Sequence, residues 1–238
     1  MLTEPDADPG RSLTAERLAT AAAPAAARNL QDLSRINRWL GGHRVLGALL
    51  AENAGREERF SLLDVGAASG DMGRSVRRGF PKAHVVSLDC RHGHLKLGKG
   101  RRVVGDGFRL PFRPRSFDFV SCSLLLHEYD DAAALQLMRQ LRSVARRALI
   151  VLDLYRHPLA AGFLPATKWI FRWGDLTVHD GPASVRAAFR RHEFRAMARQ
   201  AGFEEAEVRR HLPWFRISLV GRVEDGDHGE GEGGISGC

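Results

Sequence analysis

The sequence predicts an α/β fold, a doubly wound and mostly parallel sheet with helices on both faces. Three observations carry that expectation. Strand-length apolar runs alternate with helix-period stretches along most of the chain. The stretch "LLDVGAASGDMG", residues 62 to 73, places glycines where a buried strand hands over to a helix. Two further strand-like runs lie close together near the C-terminus and read as an antiparallel hairpin at the sheet edge.

Residues 1–28, rich in Ala, Pro and Asp, read as a flexible or partly helical arm. Leu30, Leu33, Ile36 and Leu40 fall at helical spacing; Gly41 and Gly42 break that helix, and Val45, Leu46, Leu49 and Leu50 start another, giving two helices over 29–54. Strands are expected at 60–65, 84–89, 102–105, 117–123 and 148–154. A helix from about Asp131 presents Leu137, Met138, Leu141 and Val144 as one stripe that covers the sheet. Residues 155–183 form an aromatic-rich, lid-like insertion punctuated by Pro158, Pro165 and Pro182. A single helix over 183–203 follows, then strands "EEAEVRRHL" and "WFRISLVGR" around a turn at Pro213. Residues 223–238 are acidic and Gly-rich and read as a disordered tail, so 29–222 is expected to be one domain.

Composition narrows the function classes. With 44% hydrophobic and 27% charged residues and no apolar run of membrane-spanning length, a soluble, cytoplasmic protein is expected. Cys90, Cys122 and Cys238 form no C-x-x-C pair, which argues against a disulfide framework and against a zinc cluster. The net charge of +8 invites a nucleic-acid partner. However, Arg139, Arg142, Arg146 and Arg147 on one helix, and Arg186, Arg190, Arg191, Arg195 and Arg199 further on, read as solvated helix faces.

The glycine turn selects a ligand. Gly70 is followed by Asp71 and Met72 where a phosphate-binding loop needs Lys and a hydroxyl residue. Gly66, Gly70 and Gly73 are spaced four and three apart, unlike the dinucleotide fingerprint, and Asp71 would face a pyrophosphate. Asp64 and Asp71 suit a ligand with a cationic or hydroxyl-rich portion.

Four pieces in order, "LLDVGAASG", "VVSLD", "VVGDGFRLPF" and "FDFVSCSLLLHEY", resemble the motifs of class I S-adenosylmethionine-dependent methyltransferases, over residues of about 29 to 222. The resemblance implies a Rossmann-like sheet of order 3-2-1-4-5-7-6 with an antiparallel seventh strand. It implies S-adenosyl-L-methionine as cofactor, held by Asp64, Gly66, Ala67, Gly70, Asp89, Cys90, Asp106, Gly107, Phe108, Ser123 and Leu124. In this reading Asp89 takes the ribose hydroxyls and Asp106 the adenine amino group, while Asp64, where relatives commonly carry Glu, holds the loop. His127, after the fourth strand, is the candidate general base, with a structural hydrogen-bonding histidine as the alternative.

Asn37, Arg38, His43, Trp169 and Trp173, with His127, are the candidate substrate contacts. No metal is expected. The expected substrate is a small molecule, methylated on oxygen of an aromatic or polyketide-like skeleton. The rival readings are an RNA methyltransferase, which would use the arginine faces, and a non-catalytic cofactor-binding partner subunit.

Overall fold

The computed structural model describes residue 11 and residues 23–96, 99–212 and 214–223. The tail beyond Val223, the turn at Pro213 and most of the expected arm lie outside these residues. Helices α1 (Ala23–Trp39) and α2 (Gly42–Ala51) precede the sheet. The alternating part follows as β1 (Ser61–Val65), α3 (Asp71–Gly79), β2 (His84–Asp89), α4 (His92–Leu95), β3 (Arg101–Val104), β4 (Phe117–Ser123), α5 (Asp131–Val144) and β5 (Ala145–Leu154). Then come α6 (Pro158–Phe171), α7 (Asp175–Ala187), α8 (Arg191–Gln200), β6 (Ala206–His211) and β7 (Arg216–Arg222).

The seven strands run in the order β3-β2-β1-β4-β5-β7-β6. β7 lies antiparallel between β5 and β6, and the other pairings are parallel. The central strands are apolar on both faces because helices cover both. Leu63, Val65, Val120, Leu149 and Val151 pack with Leu137 and Leu141 of α5 and Phe194 of α8. Leu62, Phe119, Ile150 and Leu152 pack with Leu46 and Leu49 of α2 and Val76 of α3. The expected fold and strand order hold, with the strands displaced by at most three residues at their starts.

The insertion 155–183 is a helix pair, α6 and α7, with Pro158 at the first turn and Pro165 and Pro182 inside the helices. Two residues after each internal proline a hydroxyl bonds back one turn, Thr167 Oγ1 to Phe163 O (2.6 Å) and Ser184 Oγ to Asp180 O (3.2 Å). The helix expected over 183–203 is two helices, because Phe189 leaves the helical path to bridge Tyr155 and stack on Phe194.

Candidate functional site

The parallel strands end at a common edge, where the turns after β1, β2 and β4 open a cavity of about 520 Å³. In open α/β sheets this edge is where ligands lie. Gly66 (φ 68°) and Gly70 (φ 66°) both adopt left-handed backbone. A Cβ on Gly66 would come 2.9 Å from Leu125, so glycine keeps the chain open there. Of the expected contacts, Asp64, Gly66, Ala67, Asp89, Cys90, Asp106, Gly107, Ser123 and Leu124 line the cavity. Gly70 does not; it shapes the turn, its N–H donating to Ala67 O (2.7 Å) before α3 begins. Phe108 is also turned away, packed edge-to-face on Tyr129.

Asp89, buried at the end of β2, accepts the Ala68 N–H at Oδ2 (2.8 Å) and the Arg91 N–H at Oδ1 (2.9 Å). Oδ1 also faces His94 Nδ1 at 3.4 Å, whereas Oδ2 keeps a second acceptor site that a ribose hydroxyl can fill. Burial alone would raise this carboxyl, but His94 and the two amides outweigh it and hold it below the usual carboxylate range. Ser123 Oγ is buried beside the cavity without a hydrogen-bond partner. Arg11 ties two cavity-lining residues together, donating to Tyr129 O (2.8 Å) and Ala187 O (2.7 Å).

Asp64 is fully buried under the turn, its Oδ1 accepting from Ser121 Oγ (3.3 Å). Burial, and then the charge of Asp71, push its carboxyl up to about 7. The folded chain therefore keeps a proton between about pH 4 and 7 that the unfolded chain releases, so stability falls as pH rises through this window. Asp64→Asn is expected to flatten that fall and to raise the Tm of the ligand-free protein at pH 8 by roughly 5–10 °C. Parallel Tm profiles for parent and variant between pH 5 and 8 would contradict the assignment.

A second cavity, about 140 Å³, adjoins the first. Leu33, Leu124, His127, Glu128 and Ser184 border both. Leu124 holds a left-handed backbone (φ 54°) unusual for its type, a conformation that concentrates at functional junctions. His127 is buried, and its Nδ1 lies 2.6 Å from Asp153 Oδ1. Burial would raise the Asp153 carboxyl, yet the His127 charge and hydrogen bond outweigh it and keep it below the usual range. A carboxylate only accepts, so Nδ1 carries the hydrogen and the lone pair of the neutral ring resides on Nε2. Asp153 was not foreseen; its signal was a carboxylate ending an otherwise apolar strand.

The other expected substrate contacts are not brought together. Asn37 lines the first cavity, donating to Asp71 Oδ2 (3.2 Å) and accepting from buried Arg216 (3.2 Å). His43 lines neither cavity, its Nε2 2.7 Å from Asp71 Oδ2. Arg38, one position from Asn37 and thus about 100° round α1, faces solvent. Trp169 is 87% exposed, about a third of a turn away from Phe163, which lines the second cavity with Ala160 and Leu164 of the same helix. Trp173 is core, stacked on Phe171 at 5.3 Å. The unforeseen wall comes from Asn29, Asp180, Trp214 and Phe215. Among the described residues no three His, Cys, Asp or Glu side chains gather as a metal site, and no helix is long and apolar enough to cross a membrane.

Residues 62–148 match the family model described as a methyltransferase domain. A curated relative, demethylmenaquinone methyltransferase of Thermotoga maritima, is 29% identical over 100 residues, 39% of this chain and 43% of that protein. The match thus spans less than half of the relative's length. Among solved structures, a proposed O-methyltransferase from Nostoc punctiforme PCC 73102 aligns with TM-score 0.65 at 18% identity, covering 90% of this chain and 64% of that one. The plantazolicin methyltransferase BpumL, with a triazolic substrate analogue and SAH, aligns with TM-score 0.68 at 11% identity, covering 88% and 95%.

Proposed function

From the premise that this chain belongs to the class I S-adenosylmethionine-dependent methyltransferases, we propose that it methylates a small molecule seated in the second cavity, on an oxygen of an aromatic or polyketide-like skeleton. S-adenosylmethionine is the cofactor of the family, and the first cavity suits it. Its volume is in the range of small-molecule sites, Asp89 Oδ2 offers an acceptor position to a ribose hydroxyl, and Ser123 Oγ has an unmet hydrogen bond. When bound, the cofactor supplies a sulfonium methyl carbon that takes an electron pair from the acceptor while the C–S pair returns to sulfur.

The observation that carries the reading is His127 on the shared wall of the two cavities, fixed by Asp153. His127 takes the proton of an acceptor hydroxyl on Nε2 as that oxygen gains the methyl group, and passes it to water afterwards. Asp153 stabilises the imidazolium formed in that step. Apolar residues, among them Ile36, Phe163, Leu164 and Phe215, hold the acceptor skeleton and keep water from the reacting atoms.

Less supports nucleic acid as the acceptor. Arg146 pairs with Asp118, Arg147 with Glu58, and Arg139 donates to Gln200 O, so these cations serve the protein's own surface. The test is isothermal titration with S-adenosylmethionine and S-adenosylhomocysteine, followed by incubation of methyl-labelled cofactor with a panel of phenols and with RNA. Binding of both ligands and label transfer to a phenol are expected. Absence of binding, or label on RNA alone, would reject the reading.

A further inference from the structure

The second cavity is lined by polar groups that methyl transfer to oxygen does not use. Asp180, on α7, is 6% exposed; its Oδ1 meets His179 Nδ1 at 3.0 Å, while Oδ2 is buried with no hydrogen-bond partner. Asn29, on α1, is likewise 6% exposed, and its Oδ1 has no partner. The orientation of that amide follows from its neighbours. Asp32 Oδ2 can only accept, so the Thr177 hydroxyl donates to it (3.0 Å), and the same hydroxyl oxygen must then accept from Asn29 Nδ2 (3.1 Å). Two buried and unmet acceptor oxygens therefore belong to residues that line one small, largely apolar cavity.

Neither oxygen can satisfy the other, because both only accept. A buried acceptor left unpaired is costly, and a buried carboxylate more so. Nearby Asp32 shows the contrast: its carboxylate takes the Gly174 N–H (2.7 Å), Thr177 Oγ1 and the Arg35 guanidinium (2.9 Å). Among the described residues Asp180 has a half-exposed histidine at one oxygen and no partner at the other. What would complete the wall is a group that brings several hydrogens and a positive charge. Asp180 and Asn29 border the second cavity only, and Asp180 lies one helical turn, about 6 Å, before Ser184, which borders both.

We propose that the Asp180–Asn29 end of the second cavity binds a protonated amine carried by the acceptor molecule, remote from the atom that is methylated. The amine donates to Asp180 Oδ2 and Asn29 Oδ1, and the skeleton between amine and acceptor atom lies against Phe163 and Leu164. The inference rests on the proposed function only for what lies at the His127 end.

The test compares phenethylamine and tryptamine with their neutral counterparts, 2-phenylethanol and tryptophol, binding to the full chain by isothermal titration at pH 7, with and without saturating S-adenosylhomocysteine. Each amine is expected to bind at least tenfold more tightly than its alcohol. Asp180→Asn should bring the pair within twofold, and Asn29→Ala should reduce the preference about threefold, both variants keeping the parent's affinity for S-adenosylhomocysteine. Parity in the parent, no binding by either amine, or a preference that survives Asp180→Asn would overturn the proposal; the parent comparison needs no variant to fold. Amine preference in a chain that fails to bind S-adenosylhomocysteine would reject the methyl-transfer reading alone. Cofactor binding and label transfer without amine preference would reject this one alone.

Discussion

Asp89→Ala is expected to weaken S-adenosylhomocysteine by about 100-fold or more in isothermal titration. Each oxygen of this carboxylate accepts a backbone amide, Ala68 or Arg91; Oδ2 retains a position for one ribose hydroxyl, and a second hydroxyl would replace His94, 3.4 Å away, at Oδ1. Two charge-assisted hydrogen bonds of about 1.5–3 kcal/mol each would be lost together. The loop after β1 also loses an anchor, because the Ala68 N–H is no longer held. Asp89→Asn, which keeps the shape and one acceptor oxygen, should fall between the two, near tenfold. A folded Asp89→Ala protein with parental affinity would show that the ribose lies elsewhere, and the other cofactor assignments would fall with it.

The second large effect concerns turnover. His127→Ala should lower kcat by roughly 100-fold or more while cofactor affinity changes less than about threefold, if the imidazole accepts the acceptor's proton. Asp153→Asn tests how the ring is held. The amide can donate to Nδ1, which would move the ring hydrogen to Nε2 and remove the lone pair from the reacting side. A loss of kcat comparable to that of His127→Ala is therefore expected, with the rise of rate with pH displaced. Parental turnover in both variants would mean that positioning the acceptor suffices and that the pair is structural. Label transfer to the best phenol of the panel provides the rate.

The sheet and the first cavity were legible in the sequence for a physical reason. Strands buried on both faces must be continuous apolar runs, and "HVVSLD" and "ALIVLDL" could not be read otherwise. The glycine turn was legible because left-handed backbone beside a ligand leaves few residue choices. The second cavity was not. Pro165 and Pro182 punctuate the insertion, so the bounds of α6 and α7 were not legible, nor the helical faces that decide which residues look inward. Without those faces Trp169, large and aromatic, looked like a wall residue, while nothing singled out Asp180. Asn29 and Asp180 lie 151 positions apart in the chain, and no local pattern ties such residues together.

The two cavities draw on different parts of the chain. The first is built largely from short turns clamped between strands at the sheet edge, whereas the second is built mostly from α1, α6, α7 and the β6–β7 connection, meeting the sheet only at Leu124, His127, Glu128 and Leu154. A lineage carrying this architecture can exchange residues of the helical wall and drift toward new acceptors while the donor loop stays as it is. The same division gives a practical route to retargeting: variation confined to positions 160–164, 177–181 and 215 alters the volume and charge offered to an acceptor, while Trp214 is kept because it packs against the core of the inner strands.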